Sequence, residues 1–148
     1  MAEDSPYPRL FTIQEASRVL PRIEPLMGEM REAFALIRKE IEAAAREAGV
    51  PPNDPKLSER VEARGVAPPL VARVNELIAL IHAQGCLVNG PEAGLVDFPA
   101  LFGSEIVFLC WKHGEEAIGH WHRIPDGFSG RRPLLDASGA SDASATVN

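Results

Sequence analysis

The residues best suited to chemistry lie close together in the last third of the sequence. Residues 94–133 hold both tryptophans, three of the four histidines and one of the two cysteines. His120 and His122 are separated by one residue, and side chains two apart on a β-strand project from the same face. Two imidazoles on one face can bind a divalent metal, and Asp97 would complete a set of two histidines and one carboxylate. The alternative is that both histidines lie on a half-exposed sheet face and bond to carbonyls or carboxylates.

Nucleophilic chemistry has less support in the sequence. Cys110 lies within the most apolar stretch, where burial raises the pKa of a thiol and lowers its reactivity, so it is also a less favoured fourth metal ligand. Ser129 has no base at a spacing that would predict a catalytic triad. The sequence also lacks a phosphate-binding loop, a dinucleotide fingerprint and a CxxC pair.

A second set of candidate residues surrounds the sequence DGFSGRRP at positions 126–133. Its two glycines allow backbone dihedrals that turn successive N–H groups toward an anion. Arg131 and Arg132 can add bidentate donors for a carboxylate or phosphate group. The alternative is a wrapping loop whose arginines only pair with nearby carboxylates. The first interpretation predicts a polar pocket for an anionic small molecule, lined by Asp97, His122, Arg131, Arg132 and Glu116.

A β-sheet must position these residues, and the sequence predicts one after residue 85. Strands are expected at residues 86–88, 95–98, 105–112 and 117–124, which makes a sheet of three to four strands. Their β-branched and aromatic content and their short connections indicate an antiparallel meander. Pro99 is compatible only with a sheet edge or the end of a strand. With helices before the sheet, the predicted fold class is α+β.

The pairing of the last two predicted strands stays open. If Lys112 lies opposite Ala117, then Trp111 shares a face with the two histidines and Cys110 lies on the opposite face. A three-residue turn would shift this pairing by one residue and regroup the side chains across the strands. In either register, the two histidines project to the same side.

The first part of the chain predicts a helical hairpin that supports the sheet. Thr12 and Glu15 are spaced to form a capping box at the start of the first helix. Pro21 removes a backbone donor within this helix, so a kink or break is expected there, with Pro25 in the first turn of a second segment. An apolar stripe with steps of three and four residues then runs over positions 26–48.

A proline-rich loop at residues 50–57 separates this stripe from a second one over residues 70–81. The two stripes can cover each other only if the helices run antiparallel. Two helices supply about half of a core, so the stripes must also meet the sheet, a second subunit or both. We therefore expect a homodimer.

Length and charge limit the classes to consider. A chain of 148 residues has the size of one domain, predicted over residues 1–135 with a helical part at 10–85 and a β part at 86–135. Residues 136–148 are small and polar and are expected to be a disordered tail. The net charge of −6 disfavours nucleic acid and anionic lipid as partners. Without a signal sequence or a long apolar segment, a soluble cytoplasmic protein is expected.

Several short motifs resemble a known family. They are Phe11-Thr12, Leu20-Pro21-Arg22, Gly85-Cys86, GLVDFPA at 94–100, LCWK at 109–112, Gly114-Glu115, Trp121-His122 and Gly127-Phe128-x-Gly130-Arg131. With these motifs, residues 10–135 resemble the bacterial family named domain of unknown function 2203. That family has no established activity, although some members carry a cell-division-scaffold label that relates to their helical half.

The resemblance also bears on the candidate site. The family pattern includes Asp97, Trp121, His122, Gly127 and Arg131. It often has another residue at the position of His120. The resemblance therefore favours His122 as the histidine of interest and weakens the pairing of two histidines on one metal.

The sequence supports three hypotheses about function and leaves open whether the protein is an enzyme. In the first, it is a ligand-binding or regulatory domain in which Asp97 orients His122 and Arg131 holds an anionic group. In the second, it is an enzyme assisted by a divalent metal, with His122 and Asp97 as catalytic candidates and His120 as a further ligand. In the third, it is a structural or scaffold protein that acts through its helical face.

Overall fold

The computed structural model describes residues 5–134. Three helices, α1 (Ile13–Ala48), α2 (Leu57–Ala63) and α3 (Ala67–His82), precede a sheet. The strands are β1 (Leu87–Gly90), β2 (Leu95–Phe102), β3 (Glu105–Lys112), β4 (His120–Arg123) and β5 (Arg132–Pro133). Neighbouring strands pair antiparallel in the order β1-β2-β3-β4-β5. The predicted α+β class and antiparallel meander are confirmed, and the predicted tail lies outside the described residues.

The sheet departs from the prediction at its C-terminal end. The described part of the chain forms five strands instead of three to four, because Arg132 and Pro133 add a short fifth strand beside β4. The strand predicted over residues 117–124 is shorter, and β4 spans only His120–Arg123. Short 3-10 turns at Ile124–Asp126 and Phe128–Gly130 connect β4 to β5. Gly127, with φ of 63°, lies between these turns.

Helix α1 begins as the sequence predicts but does not break. The Thr12 hydroxyl accepts from the Glu15 N–H at 3.0 Å, and the Glu15 carboxylate accepts from the Thr12 N–H at 2.9 Å. The helix then runs for 36 residues through both Pro21 and Pro25, so the predicted division into two segments is wrong. The two prolines are four residues apart and exposed, so they lie on one solvent-facing side, where water can hydrate the carbonyls that lose their donors.

Helices α1 and α3 pack antiparallel, as the two apolar stripes predict. Arg73 on α3 pairs with Glu29 at 2.6 Å, while Arg64, just before α3, reaches Glu47 near the end of α1 at 2.9 Å. Where the two helices pack against each other, Met30 of α1 and Leu77 of α3 are fully buried in the main core. The proline-rich loop and α2 close the far end of this hairpin. None of the helices within residues 5–134 is both long and apolar enough to cross a membrane.

The helices cover one face of the sheet, and the chemically interesting residues lie on the other face. Alternate residues of β2 and β3 join the core that the helices share: Val96, Phe98, Ala100, Val107, Leu109 and Trp111. The residues between them, including Asp97 and Cys110, therefore point away from the helices. Pro99 is tolerated in β2 because the pairing of β2 with β1 does not extend beyond Asp97, so no β1 carbonyl lies opposite the missing N–H. The Pro99 carbonyl accepts from the Phe11 N–H at 2.7 Å.

The register of β3 and β4 differs by one residue from the pairing of Lys112 with Ala117. Cys110 lies opposite His120, and Phe108 lies opposite His122. Residues 113–119 form a longer connection than that pairing required, and the shift brings Cys110 to the histidine face. Trp111 consequently lies on the core face, fully buried.

Gly94, at the start of β2, supplies the first stability prediction. It has a φ of 78°, and an added Cβ would lie 2.8 Å from the His113 Cβ. We expect Gly94→Ala to lower the free energy of unfolding, measured by urea denaturation, by about 2–4 kcal/mol, because backbone strain and overpacking add.

Gly103 is a matched control, since its φ is 64° and, apart from Gly103 and its two chain neighbours, no heavy atom of the described residues lies within 4 Å of the point that an added Cβ would occupy. Gly103→Ala should cost only about 1–2 kcal/mol, the strain of a left-handed alanine. Equal losses for the two variants would show that the contact with His113 does not constrain the start of β2.

Candidate functional site

Three side chains from three neighbouring strands converge on the outer face of the sheet. Asp97 on β2, Cys110 on β3 and His122 on β4 place one carboxylate oxygen, the thiol sulfur and one imidazole nitrogen within 4.8 Å of one another. Each of the three residues is only 1% exposed. The register explains the convergence, because Asp97 lies directly opposite Cys110 and His122 is diagonal to Cys110 across the next strand pair.

The imidazole of His122 is held through both ring nitrogens. Its Nδ1 lies 2.9 Å from the Arg123 carbonyl oxygen, and its Nε2 lies 3.2 Å from Asp97 Oδ1. A carbonyl oxygen can only accept a hydrogen bond, so Nδ1 carries a proton and is the hydrogen-bond donor. In that tautomer, the Nε2 lone pair faces a carboxylate oxygen. A proton or another cation must therefore lie between His122 and Asp97.

Asp97 is buried and hydrogen-bonded at both oxygens. Its Oδ2 accepts from Asn89 Nδ2 at 2.5 Å, and its Oδ1 faces His122. Burial raises the pKa of Asp97, although the adjacent His122 and the hydrogen bonds from Asn89, His122 and Cys110 act in the opposite direction. Asn89 itself is exposed, so the site lies one side chain away from solvent.

Cys110 is a poor nucleophile in this environment. Burial raises the pKa of its thiol to about 12, and the neighbouring Asp97 carboxylate adds to the effect. The arrangement also differs from a nucleophile–histidine–acid relay, because His122 directs its second nitrogen to a backbone carbonyl. The site is therefore better suited to holding a cation than to attacking a substrate.

Arg131 has its charge balanced within the protein. Its Nη2 donates to both carboxylate oxygens of Glu115, at 2.7 and 2.9 Å, and lies 3.3 Å from the Cys110 carbonyl oxygen. Burial acts to raise the pKa of Glu115, but hydrogen bonds from Arg131 and from the Lys112 N–H outweigh it, and that pKa is lowered. The guanidinium also lies over the Phe128 ring at 4.8 Å.

Arg131 lies beside Cys110, but among the described residues it forms no hydrogen bond with the other residues predicted for an anion pocket. Within residues 5–134, the hydrogen bonds of Asp97 and His122 do not include an arginine side chain. Glu116 is exposed, and its neighbour Glu115 is the residue that pairs with Arg131. Arg132 is also exposed and lies over the Trp121 ring at 5.5 Å.

His120 lies beside the convergent group but is not one of its three members. Its Nδ1 is 3.8 Å from Glu115 Oε2 and is buried without a hydrogen-bond partner among the described residues. The set predicted for a metal was His120, His122 and Asp97, whereas the convergent set has Cys110 in place of His120. Only the register of β3 and β4 distinguishes these two sets of ligands. The sequence analysis missed Asn89 as a partner of Asp97, because that contact depends on the pairing of β1 with β2.

Asp97 and His122 should behave as an energetically coupled pair. In protein treated with a chelator, Asp97→Ala or His122→Ala alone should each cost about 3–5 kcal/mol, because a buried polar partner is left uncompensated. The double variant should cost about 1–3 kcal/mol less than the sum of the single variants. Urea denaturation of the four proteins measures this coupling.

Arg31 and His113 form a control pair, with Arg31 Nη1 3.2 Å from His113 Nδ1 at an exposed position. Their alanine variants should couple by less than about 0.5 kcal/mol. Additive costs at Asp97 and His122 would contradict the shared proton or cation between them.

Comparison with known proteins identifies the family and no activity. The family model described as "Uncharacterized conserved protein (DUF2203)" matches residues 9–134. No curated protein and no solved structure matches the chain. The match includes all three convergent residues and every element of the fold, so the resemblance seen in the sequence motifs is confirmed. The chain belongs to the DUF2203 family of uncharacterised conserved proteins.

Proposed function

We propose that the protein is a metal-binding domain that holds one divalent transition metal through Asp97, Cys110 and His122. The observation that carries this proposal is the convergence of an oxygen, a sulfur and a nitrogen donor within 4.8 Å, all on residues that are 1% exposed. Mixed donors of this kind suit Zn²⁺ and other first-row transition metals, whereas Mg²⁺ and Ca²⁺ prefer oxygen ligands.

The spacing of the donors supports the proposal. A tetrahedral zinc site has metal–ligand bonds of about 2.0–2.3 Å, which places its ligand atoms about 3.3–3.8 Å apart. The separation of 3.2 Å between Asp97 Oδ1 and His122 Nε2 is already close to that range. Since no pair in the group exceeds 4.8 Å, small side-chain movements suffice to reach it.

The orientation of the ligands supports it as well. A histidine that binds metal through one nitrogen usually donates its other N–H to a carbonyl or carboxylate. His122 has this arrangement, with Nδ1 bonded to the Arg123 carbonyl and Nε2 directed at the group. Asn89 bonds to the second oxygen of Asp97 and orients that carboxylate in the same way.

Charge balance favours a divalent cation in this buried position. A thiol whose pKa is about 12 stays protonated at neutral pH, but coordination to a metal deprotonates it. One divalent ion, one thiolate and one carboxylate then sum to zero net charge, which lowers the cost of burial. Three protein ligands also leave one tetrahedral position for a small molecule, where a bound metal would supply Lewis-acid chemistry.

The anion-pocket and scaffold hypotheses receive less support from the geometry. Arg131 Nη2 is already paired with Glu115 over two hydrogen bonds, so the charge of the guanidinium is balanced, although its buried Nε has no hydrogen-bond partner among the described residues. The apolar stripe of α1 is largely used within the chain, because Met27, Met30 and Ala33 are buried in the main core. A homodimer through this stripe therefore has less free apolar surface than the sequence suggested.

Metal binding can be tested on purified protein stripped with a chelator. Titration with Zn²⁺ should saturate at one equivalent, and Co²⁺ should give thiolate-to-cobalt charge-transfer absorption. At a free Zn²⁺ concentration 100 times the dissociation constant, binding should stabilise the fold by about 2.7 kcal/mol. Cys110→Ser should abolish the charge-transfer band.

Cys86 provides the matched control, because it is the second buried free cysteine and lies outside the convergent group. Cys86→Ser should retain both stoichiometry and the charge-transfer band. Wild-type protein that takes up no metal, or a band lost with Cys86→Ser and kept with Cys110→Ser, would overturn the proposal.

Asn89 tests the geometry without removing a ligand. Asn89→Ala should weaken Zn²⁺ binding about 10- to 100-fold, because Asp97 loses the hydrogen bond that orients it. Glu92→Ala is the control, since Glu92 follows in the next turn and pairs with Arg38 on the surface. Competition with a chromogenic chelator measures both affinities, and equal affinity in the two variants would exclude an orienting role for Asn89.

A further inference from the structure

A groove lies at the end of the helical hairpin, away from the convergent residues on the sheet. It has a volume of about 550 Å³ and lies between α1, the loop after it, α2 and the start of α3. We call it the distal groove, and its apolar lining includes Ile41, Pro52, Pro55, Val61, Pro68 and Val71. Its volume falls within the range of about 300–1,000 Å³ that is typical of small-molecule sites.

The distal groove stays open because the local core is small. Leu57 is the only fully buried residue of α2, and it packs on Ala44 and Ala45 of α1. Ile41, Ala48, Val50 and Val61 pack against this cluster but are only partly buried. Val71 therefore keeps 46% of its surface exposed, although it faces other apolar residues across the groove.

The walls of the distal groove are mostly apolar, and three of the lining residues are prolines. Pro52, Pro55 and Pro68 each fix their own φ and have no backbone N–H to offer. Pro68 also lies in the first turn of α3, where its conformation matches the helix. The prolines thus restrict the backbone of the walls and offer a hydrocarbon surface without hydrogen-bond donors.

The charged groups of the groove have one sign. Asp54 and Glu62 contribute carboxylates to the lining, and no basic side chain lines it among the described residues. Three basic residues are near in sequence: Lys56 and Arg60 are exposed and outside the lining, and Arg64 is directed to Glu40 and Glu47 on α1. One oxygen of Asp54 accepts the Lys56 N–H, and its other oxygen is free of hydrogen bonds within the described part of the chain.

We infer that the distal groove binds a small organic amine, a ligand with a hydrocarbon body and one positive nitrogen. The hydrocarbon would contact the proline and valine walls, and the ammonium group would lie against Asp54 and Glu62. This inference is independent of the metal site, because the two share no residue.

The test uses three probes of matched shape on the full chain: 4-phenylbutylamine, 4-phenylbutanol and 4-phenylbutyrate. Amide signals of the non-proline residues within 52–62 and 67–71 should shift in ¹H–¹⁵N correlation spectra as the amine is added. The amine should bind about tenfold more tightly than 4-phenylbutyrate, with the alcohol between them. The reason is that the carboxylates of Asp54 and Glu62 attract the ammonium group and repel the butyrate. Glu62→Gln should reduce that ratio, whereas Glu59→Gln, on α2 but outside the lining, should preserve it.

Val71→Arg, a substitution at an exposed position, should abolish binding of all three probes while the rest of the spectrum is unchanged. Absence of shifts in wild-type protein, shifts elsewhere, or equal affinities for amine and carboxylate would overturn the inference. A wild-type dimer that Val71→Arg converts to a monomer would also overturn it, because the groove would then be a contact between two copies of the chain.

Discussion

The burial of Asp97 beside His122 is the constraint on which the rest of the structure depends. Both side chains are 1% exposed, on the sheet face that the helices do not cover. An isolated carboxylate in such a place is strongly disfavoured, so the strands must hold a partner close to it. Three contacts do so: His122 Nε2 at 3.2 Å, Asn89 Nδ2 at 2.5 Å and the neighbouring thiol of Cys110. A register slip of one residue in any of the three strand pairs would remove at least one of them.

The local features of the fold are predictable from the sequence, and the long-range ones are not. The capping box of Thr12 and Glu15, the left-handed Gly49 after α1 and the two apolar stripes depend on residues within a few turns of each other. The continuity of α1 through Pro21 and Pro25 could not be predicted in this way. Its energy depends on the buried face opposite the prolines, where Ile23 and Met27 join the main core.

The candidate site shows the same division. Spacing along one strand predicts that His120 and His122 share a face, and the structure agrees. Which residue joins them from β3 depends on the length of the connection at 113–119, because a shift of one residue exchanges Cys110 for Trp111. Arg131 illustrates a further limit, since sequence alone cannot choose between Glu115 and Glu116 as its partner.

The protein thus separates two chemical environments along its length. The outer face of the sheet presents a closed group of donors that suits a metal ion. The opposite end of the helical hairpin presents an open apolar groove with two carboxylates. The packed core between α1, α3 and the sheet lies between the two environments, and they share no residue.

X-ray absorption at the zinc edge tests the central proposal most directly, because it reports the atoms bound to the metal. Protein loaded with one equivalent of Zn²⁺ should show one sulfur at about 2.3 Å and nitrogen or oxygen ligands at about 2.0–2.1 Å. One sulfur is the value that Cys110 alone provides. A coordination sphere with no sulfur, or with two, would contradict the site formed by Asp97, Cys110 and His122.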